Sequence, residues 1–283
     1  MIAVFDSGVG GLSVLREIRA QLPAADLLYF ADQAHVPYGP RPAAEIRHLA
    51  GAIARCLLGQ GARVIVVACN TASAAALQHL RAAFPAVPFV GMEPAVKPAA
   101  ERTRARVVGV LATPATFQGE LFASVVDRFA RGVRVLPQVC PGLVEQVEAG
   151  ELEAPRTQAI LGQALRPLLE AGIDSLVLGC THYAFVVPLL ARIAGPNVEI
   201  LDPAPAVARQ TARVFHDLTG QPARAEGRPG RLVLTSSGDM EKLVEFAGRY
   251  AGLRGEARPA RWQGPRRVAL LPSVPAAAPP PPT

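Results

Sequence analysis

The amino-acid sequence predicts an α/β protein built as two pseudo-symmetric, doubly wound domains with mainly parallel sheets and a cleft between them. Three observations carry this expectation. Short apolar runs of strand length alternate with longer segments of helical periodicity, the rhythm of βαβ units whose helices cover both faces of a sheet. Residues 63–71 and 174–182 repeat one pattern: a buried strand, a small residue, a cysteine, then amide or hydroxyl residues. At one domain per ~150 residues, a chain of 283 residues has room for one such unit in each half.

Taken in order, residues 3–5 form the first apolar strand, and Phe5-Asp6-Ser7-Gly8-Val9-Gly10-Gly11 sets a carboxylate and a glycine-rich turn before a helix at 11–21. A strand at 27–30 and a helix at 43–60 follow, with Cys56 a packing residue in the apolar part of that helix. The strand at 64–68 runs through Cys69 into a helix at 72–84, and a strand at 87–90 leads to a boundary near 94–98. The second half offers a strand at 107–112, helices at 116–131 and 155–171, a strand at 176–178 before Cys180, a strand at 198–201 and a helix at 204–219. Ligand is expected where the carboxyl ends of the strands face each other across the cleft. The proline-rich residues 272–283 suit neither helix nor sheet and are expected to be extended or disordered.

Composition narrows the functional classes. Half the residues are hydrophobic and 18% are charged, which excludes disorder over most of the length. No apolar run reaches 18 residues, and the N-terminus lacks a basic segment followed by a long apolar one, so we expect a cytoplasmic protein with no membrane partner. The net charge of +6 comes from scattered arginines, with Lys97 and Lys242 the only lysines. Aromatic residues make up 5%, and Arg254, Arg258, Arg261, Arg266 and Arg267 gather near the tail, so a solvated basic face is favoured over nucleic-acid binding. Four cysteines this far apart are no disulfide framework and are expected to be reduced.

Chemistry concentrates at the strand ends. A cysteine at the carboxyl end of a strand, just before a helix, sits where amide N–H groups favour thiolate, and a free thiol near pKa 8.5 needs only a modest shift to work near neutral pH. Cys69 and Cys180 have polar neighbours (Asn70, Thr71, Thr181, His182) where a merely packed cysteine would have apolar ones; Cys140 reads as packing. The opening glycines do not make a dinucleotide loop, because the third glycine of that fingerprint would fall at Ser13, nor a P-loop, because no Gly-Lys-Ser/Thr follows.

Asp6-Ser7-Gly8-Val9-Gly10-Gly11, Ala31-Asp32 with Pro37-Tyr38-Gly39, Ala68-Cys69-Asn70-Thr71-Ala72-Ser73, Gly91-Met92-Glu93-Pro94-Ala95-Val96-Lys97-Pro98-Ala99 and Gly179-Cys180-Thr181-His182-Tyr183 stand in the order in which similar motifs occur in the glutamate racemases. The last strand–helix unit, Thr235-Ser236-Ser237-Gly238-Asp239, is similar too. The resemblance implies interconversion of L- and D-glutamate for peptidoglycan synthesis, with no cofactor and no metal. Inversion at an α-carbon needs a base on one face and an acid on the other. By analogy Cys69 takes the proton from D-glutamate and Cys180 from L-glutamate, while Asp6 and His182 assist. Ser7, Tyr38, Gly39, Asn70, Thr71, Thr113 and Thr181 match positions that hold the substrate. Glu148 matches an acidic residue near the ammonium group or the second catalytic side, although Glu145 and Glu151 beside it fit a solvated helix face equally well. His35, His48, His79 and His216 read as structural or surface residues.

We expect residues 1–94 with 206–271 to form the domain carrying Cys69 and residues 95–205 the domain carrying Cys180. The partner expected is glutamate alone, with a homodimer left open. The chain departs from the family pattern at Pro114-Ala115-Thr116, Gly119, Phe122, Ala184 and Asp202-Pro203-Ala204, and none of these departures removes a proton-transfer group. Competing readings are an aspartate or hydantoin racemase, a cysteine hydrolase that would leave one matched thiol without a role, a zinc site on Cys69, Asp6, Cys180 and His182, and a binding protein on an inactive racemase fold.

Overall fold

The computed structural model describes residues 1–220 and 229–273. The apolar run Ile2–Asp6 (β1) is fully buried, and Leu12–Gln21 (α1), Leu27–Ala31 (β2) and Ala43–Gly59 (α2) follow it. Val64–Val67 (β3), Asn70–Ala83 (α3) and Phe89–Gly91 (β4) complete the first run, and Val96–Arg102 (α4) crosses to the second half. There, Val107–Ala112 (β5) leads to Pro114–Gln118 (α5) and Glu120–Phe129 (α6), then to Arg134–Gln138 (β6), Leu143–Glu148 (α7) and Pro155–Glu170 (α8). Ser175–Gly179 (β7) passes into a 3₁₀ turn, Thr181–Val186, then Val187–Ala194 (α9), Glu199–Leu201 (β8) and Ala204–Thr219 (α10). Leu232–Ser236 (β9), Met240–Ala251 (α11), Glu256–Ala257 (β10) and the antiparallel pair Ala260–Trp262 (β11) and Val268–Leu270 (β12) finish the described chain.

Two parallel sheets result. The first has the order β10-β9-β2-β1-β3-β4 and the second β6-β5-β7-β8. In β1 the alternation of the pleat divides the core: Ile2 and Val4 face a cluster that runs on through Tyr29 and α1 into Leu143, Leu165 and Leu178 of the other half, while Ala3 and Phe5 face a second cluster with Ile46, Ile53 and Ile65 under α2 and α3. One apolar core thus spans both halves, and Val96, Val108, Val110 and Val177 close the far face of the second sheet. Register then places the chemistry. Asp6 pairs with Ala31, Phe5 lies beside Val67, and Ala112 lies beside Gly179, so Asp6, Asp32 and Cys69 leave one sheet at the same end, and Thr113 and Cys180 leave the other together.

Three expectations need adjustment. The helix foreseen at 116–131 is two helices, because Gly119 takes an extended conformation between α5 and α6. The strand foreseen at 87–90 begins two residues later, at Phe89, after the turn in which Val87 N–H donates to the Phe84 carbonyl. Cys180 is followed by a 3₁₀ turn, with the α-helix delayed to Val187. The prolines of the tail from 274 onward lie outside the described residues. Among the described residues no helix is long and apolar enough to cross a membrane.

Candidate active site

Ser7, Pro37, Tyr38, Gly39, Cys69, Asn70, Thr71, Thr113, Val144, Cys180, Thr181 and His182 line one narrow pocket between the two halves. Its free room is about 10 Å³, the space of a single water. The structure brings both matched cysteines to it, 5% and 8% exposed. All four catalytic candidates are buried, and every substrate-holding candidate except Glu148 lies on the wall itself.

Cys69 caps α3, its sulfur accepting from Ala72 N–H at 3.4 Å. Its thiol faces Ser7 Oγ at 4.0 Å, and Ser7 Oγ donates to Asp6 Oδ1 at 3.3 Å. The helix N-terminus does not poise this thiol. Burial, followed by the charge of Asp6, pushes Cys69 far above the ordinary thiol range, outweighing the Ala72 and Ser7 hydrogen bonds. Asp6 is itself pushed up to about 6, chiefly by burial, against the pull of His182 and the Gly8 amide. It is a link between the halves as well as a neighbour of Cys69, because Thr181 Oγ1 donates to its Oδ2 at 3.0 Å.

On the opposite side Cys180 Sγ lies 3.8 Å from His182 Nδ1, and His182 Nε2 lies 2.6 Å from Glu148 Oε1. An Nε2–H donating to Glu148 leaves Nδ1 as the acceptor facing the thiol. Burial opposes a charge on His182, yet its hydrogen bonds to Cys180 and Glu148 hold it well above the usual histidine range. Burial would likewise raise Glu148, but His182, the Val9 amide and Gln33 carry it below its ordinary value. The solvated-helix reading of Glu148 therefore gives way: its side chain is 14% exposed, accepting from Val9 N–H at 2.7 Å and Gln33 Nε2 at 3.2 Å. Gly8 makes this approach feasible, since a Cβ there would lie 1.8 Å from Glu148 Oε1.

The remaining wall residues divide into engaged and unengaged groups. Thr71 and Thr113 share a hydroxyl hydrogen bond of 2.9 Å across the halves. Tyr38 commits its phenolic proton to Asp32 at 2.7 Å, which leaves its oxygen as an acceptor on the cavity wall beside Gly39. Both polar atoms of the Asn70 side chain are buried without a protein partner. A buried amide left unpaired is costly unless something else meets it.

Three residues of the site went unassigned in the sequence. Asp32, fully buried, accepts from Tyr38, Ser237 and Trp262 and lies 3.0 Å from His35. Its signal was the carboxylate that ends an apolar strand, as Asp6 does. Gln33 and Tyr29, whose hydroxyl donates to the Gly8 carbonyl at 2.6 Å, had none. Cys140 is buried with its thiol pushed up to about 12 by burial, as suits packing. Among the described residues no group of three or more His, Cys, Asp and Glu side chains could hold a metal ion.

Fold and site define a class: an α/β racemase, an isomerase of amino acids. The chain belongs to the Asp/Glu/hydantoin racemase family, whose model matches residues 2–211. It is 53% identical over 245 residues to the glutamate racemase of Roseiflexus sp. (strain RS-1), covering 87% of this chain and 90% of that one. It is 57% identical over 214 residues to the glutamate racemase of Pseudomonas aeruginosa (strain PAO1), covering 76% and 81%. Among solved structures, Escherichia coli glutamate racemase in complex with L-glutamate and the activator UDP-MurNAc-Ala matches with TM-score 0.80 and 31% identity, over 96% of this chain and 98% of that one. A Bacillus anthracis glutamate racemase isoform matches with TM-score 0.80 and 29% identity, over 94% and 98%.

Proposed function

We propose that this protein racemises glutamate by passing protons between two thiols and the two faces of the α-carbon, without a cofactor. The observation that carries the reading is that Cys69 and Cys180, the matched cysteines of the two halves, line the same narrow pocket. With L-glutamate, the Cys180 proton first moves to His182 Nδ1. The thiolate then removes the α-proton: the C–H bond breaks, its electron pair stays on carbon, and an S–H bond forms. Cys69, a thiol held protonated by its surroundings, donates its proton to the opposite face and becomes the thiolate. D-glutamate reacts by the reverse path.

Holding the substrate falls first to Asn70, whose NH₂ group can donate to a carboxylate as negative charge spreads into it from the α-carbon, with the hydroxyls of Ser7, Thr71 and Thr181 on the wall beside it. The Asn70 amide, buried and unpartnered, supports this role most directly. The free room is far too small for glutamate, so the walls of the pocket must shift to admit it. The relatives named glutamate racemase favour glutamate over aspartate or hydantoins. A cysteine hydrolase would give the second thiol nothing to do. The product would serve peptidoglycan synthesis in the cytoplasm.

The test is a circular-dichroism assay on purified protein with L- and D-glutamate and no added cofactor. Loss of optical activity from either enantiomer is expected. Dependence on added pyridoxal phosphate, or faster turnover of aspartate, would refute the proposal.

A further inference from the structure

We infer that Gln33, held by Ser236, is a positioning residue for the Cys180 side of the site: it fixes the Glu148 carboxylate that orients His182. The inference rests on the two-thiol reading and deepens it. Glu148 has two oxygens with different duties. Oε1 meets His182 Nε2 at 2.6 Å and Val9 N–H at 2.7 Å, whereas Oε2 accepts from Gln33 Nε2 at 3.2 Å. Gln33 is pinned at its other end, where Ser236 Oγ donates to its Oε1 at 2.6 Å. That hydroxyl is oriented in turn by accepting from Gly238 N–H at 2.9 Å.

The amide is thus fixed from both ends, and this settles which atom faces Glu148. With Oε1 accepting from Ser236, the NH₂ group must point at the carboxylate, where it donates. The chain Ser236, Gln33, Glu148, His182, Cys180 starts at the end of β9, passes through the loop after β2 and ends at a thiol in the other half. A carboxylate held at both oxygens cannot rotate away from the imidazole, so the Nε2–H tautomer and the acceptor at Nδ1 persist. Cys69 has no part in this chain: Ser7 faces its sulfur, and Ser7 donates to Asp6. The effect of Gln33 is therefore one-sided.

One-sidedness makes the role measurable. Enantiomers have equal free energy, so any variant must change kcat/KM equally in the two directions, and primary isotope effects have to report the side. Weakening Cys180 makes removal of the α-proton from L-glutamate the slower step, which raises the isotope effect with L-[2-²H]glutamate. From D-glutamate the deuteron leaves to Cys69 before that slow step, so its isotope effect falls.

For Gln33→Leu we expect kcat/KM to drop roughly 3–10-fold, a fraction of what a whole acid–base group supplies, with the L effect rising and the D effect falling. Gln33→Glu keeps the size but presents an acceptor to Glu148, and should show the same asymmetry more strongly. Ser236→Ala should show it more weakly. If both isotope effects keep their wild-type values in Gln33→Leu and Gln33→Glu, or move together, Gln33 is a structural residue only and the inference is overturned while the two-thiol reading stands. If wild-type protein forms product from heavy water without solvent deuterium, the underlying reading fails and this inference with it.

Discussion

The regions around Cys69 and Cys180 share a plan of strand, thiol and polar turn, yet their sulfurs meet different companions. Cys69 lies against Ser7, which leads to Asp6; Cys180 lies against His182, which leads to Glu148. Both are relays of thiol, middle residue and carboxylate. The first has a hydroxyl in the middle and a nearby carboxylate that opposes a second negative charge, so the thiol proton stays. The second has an imidazole that can take the proton and a carboxylate that stabilises the resulting cation. Sequence symmetry thus produces two thiols in unlike surroundings, which in the proposed mechanism make one the resting acid and furnish the other with a base.

The largest effect expected from breaking this asymmetry is at His182. His182→Asn removes the acceptor for the Cys180 proton and should lower kcat/KM on the order of 10²-fold or more, as loss of a general base does. The primary isotope effect should rise with L-[2-²H]glutamate and fall with the D-enantiomer. Asp6→Asn should cost less, shift the isotope effects in the opposite sense and so place Asp6 with Cys69. Equal behaviour of the two variants would erase the distinction between the sides.

A smaller effect concerns stability. The folded-state value for Asp6, about 6, stands above the ordinary carboxyl value of 3.8, so the fold favours the protonated form. That contribution is fully present below about pH 3.8 and is lost as pH rises through 6. Two pH units correspond to roughly 3 kcal/mol as an upper figure. Urea denaturation should therefore show Asp6→Asn gaining about 2–3 kcal/mol relative to wild type between pH 4 and pH 7.5. Parallel stability curves would mean that Asp6 is ionised in the fold at little cost.

Much of this was legible in the sequence, for reasons that differ by residue. The strands of the parallel sheets are continuous apolar runs, which is why residues 27–30 and 107–112 could be read almost to the residue. Cys69 and Cys180 stood out because polar residues interrupt apolar strands at the same place in both halves. The element β6 did not, because Arg134–Gln138 lies at a sheet edge, is only partly buried and is interrupted by polar residues and a proline. The split of α5 from α6 depends on one glycine that a helix could have tolerated. Glu148 could not be told from Glu145 and Glu151, since its distinction is a contact with His182 across 34 positions of sequence. Gln33 carries no charge and no motif, and only the fold brings Ser236 to it from 203 positions away.

The central claim is that each thiol serves one face, and solvent isotope crossover tests it most directly. Racemisation of L- or D-glutamate is begun in heavy water and stopped at low conversion, and both enantiomers are separated and weighed for deuterium at the α-carbon. The account predicts deuterium in the product and almost none in the recovered substrate, because the returning proton comes from the thiol on the far face, already exchanged with solvent. With Cys69→Ser or Cys180→Ser, conversion should fall by on the order of 10³-fold or more in both directions. Early product retaining the original hydrogen, or near-normal racemisation by either serine variant, would contradict the account.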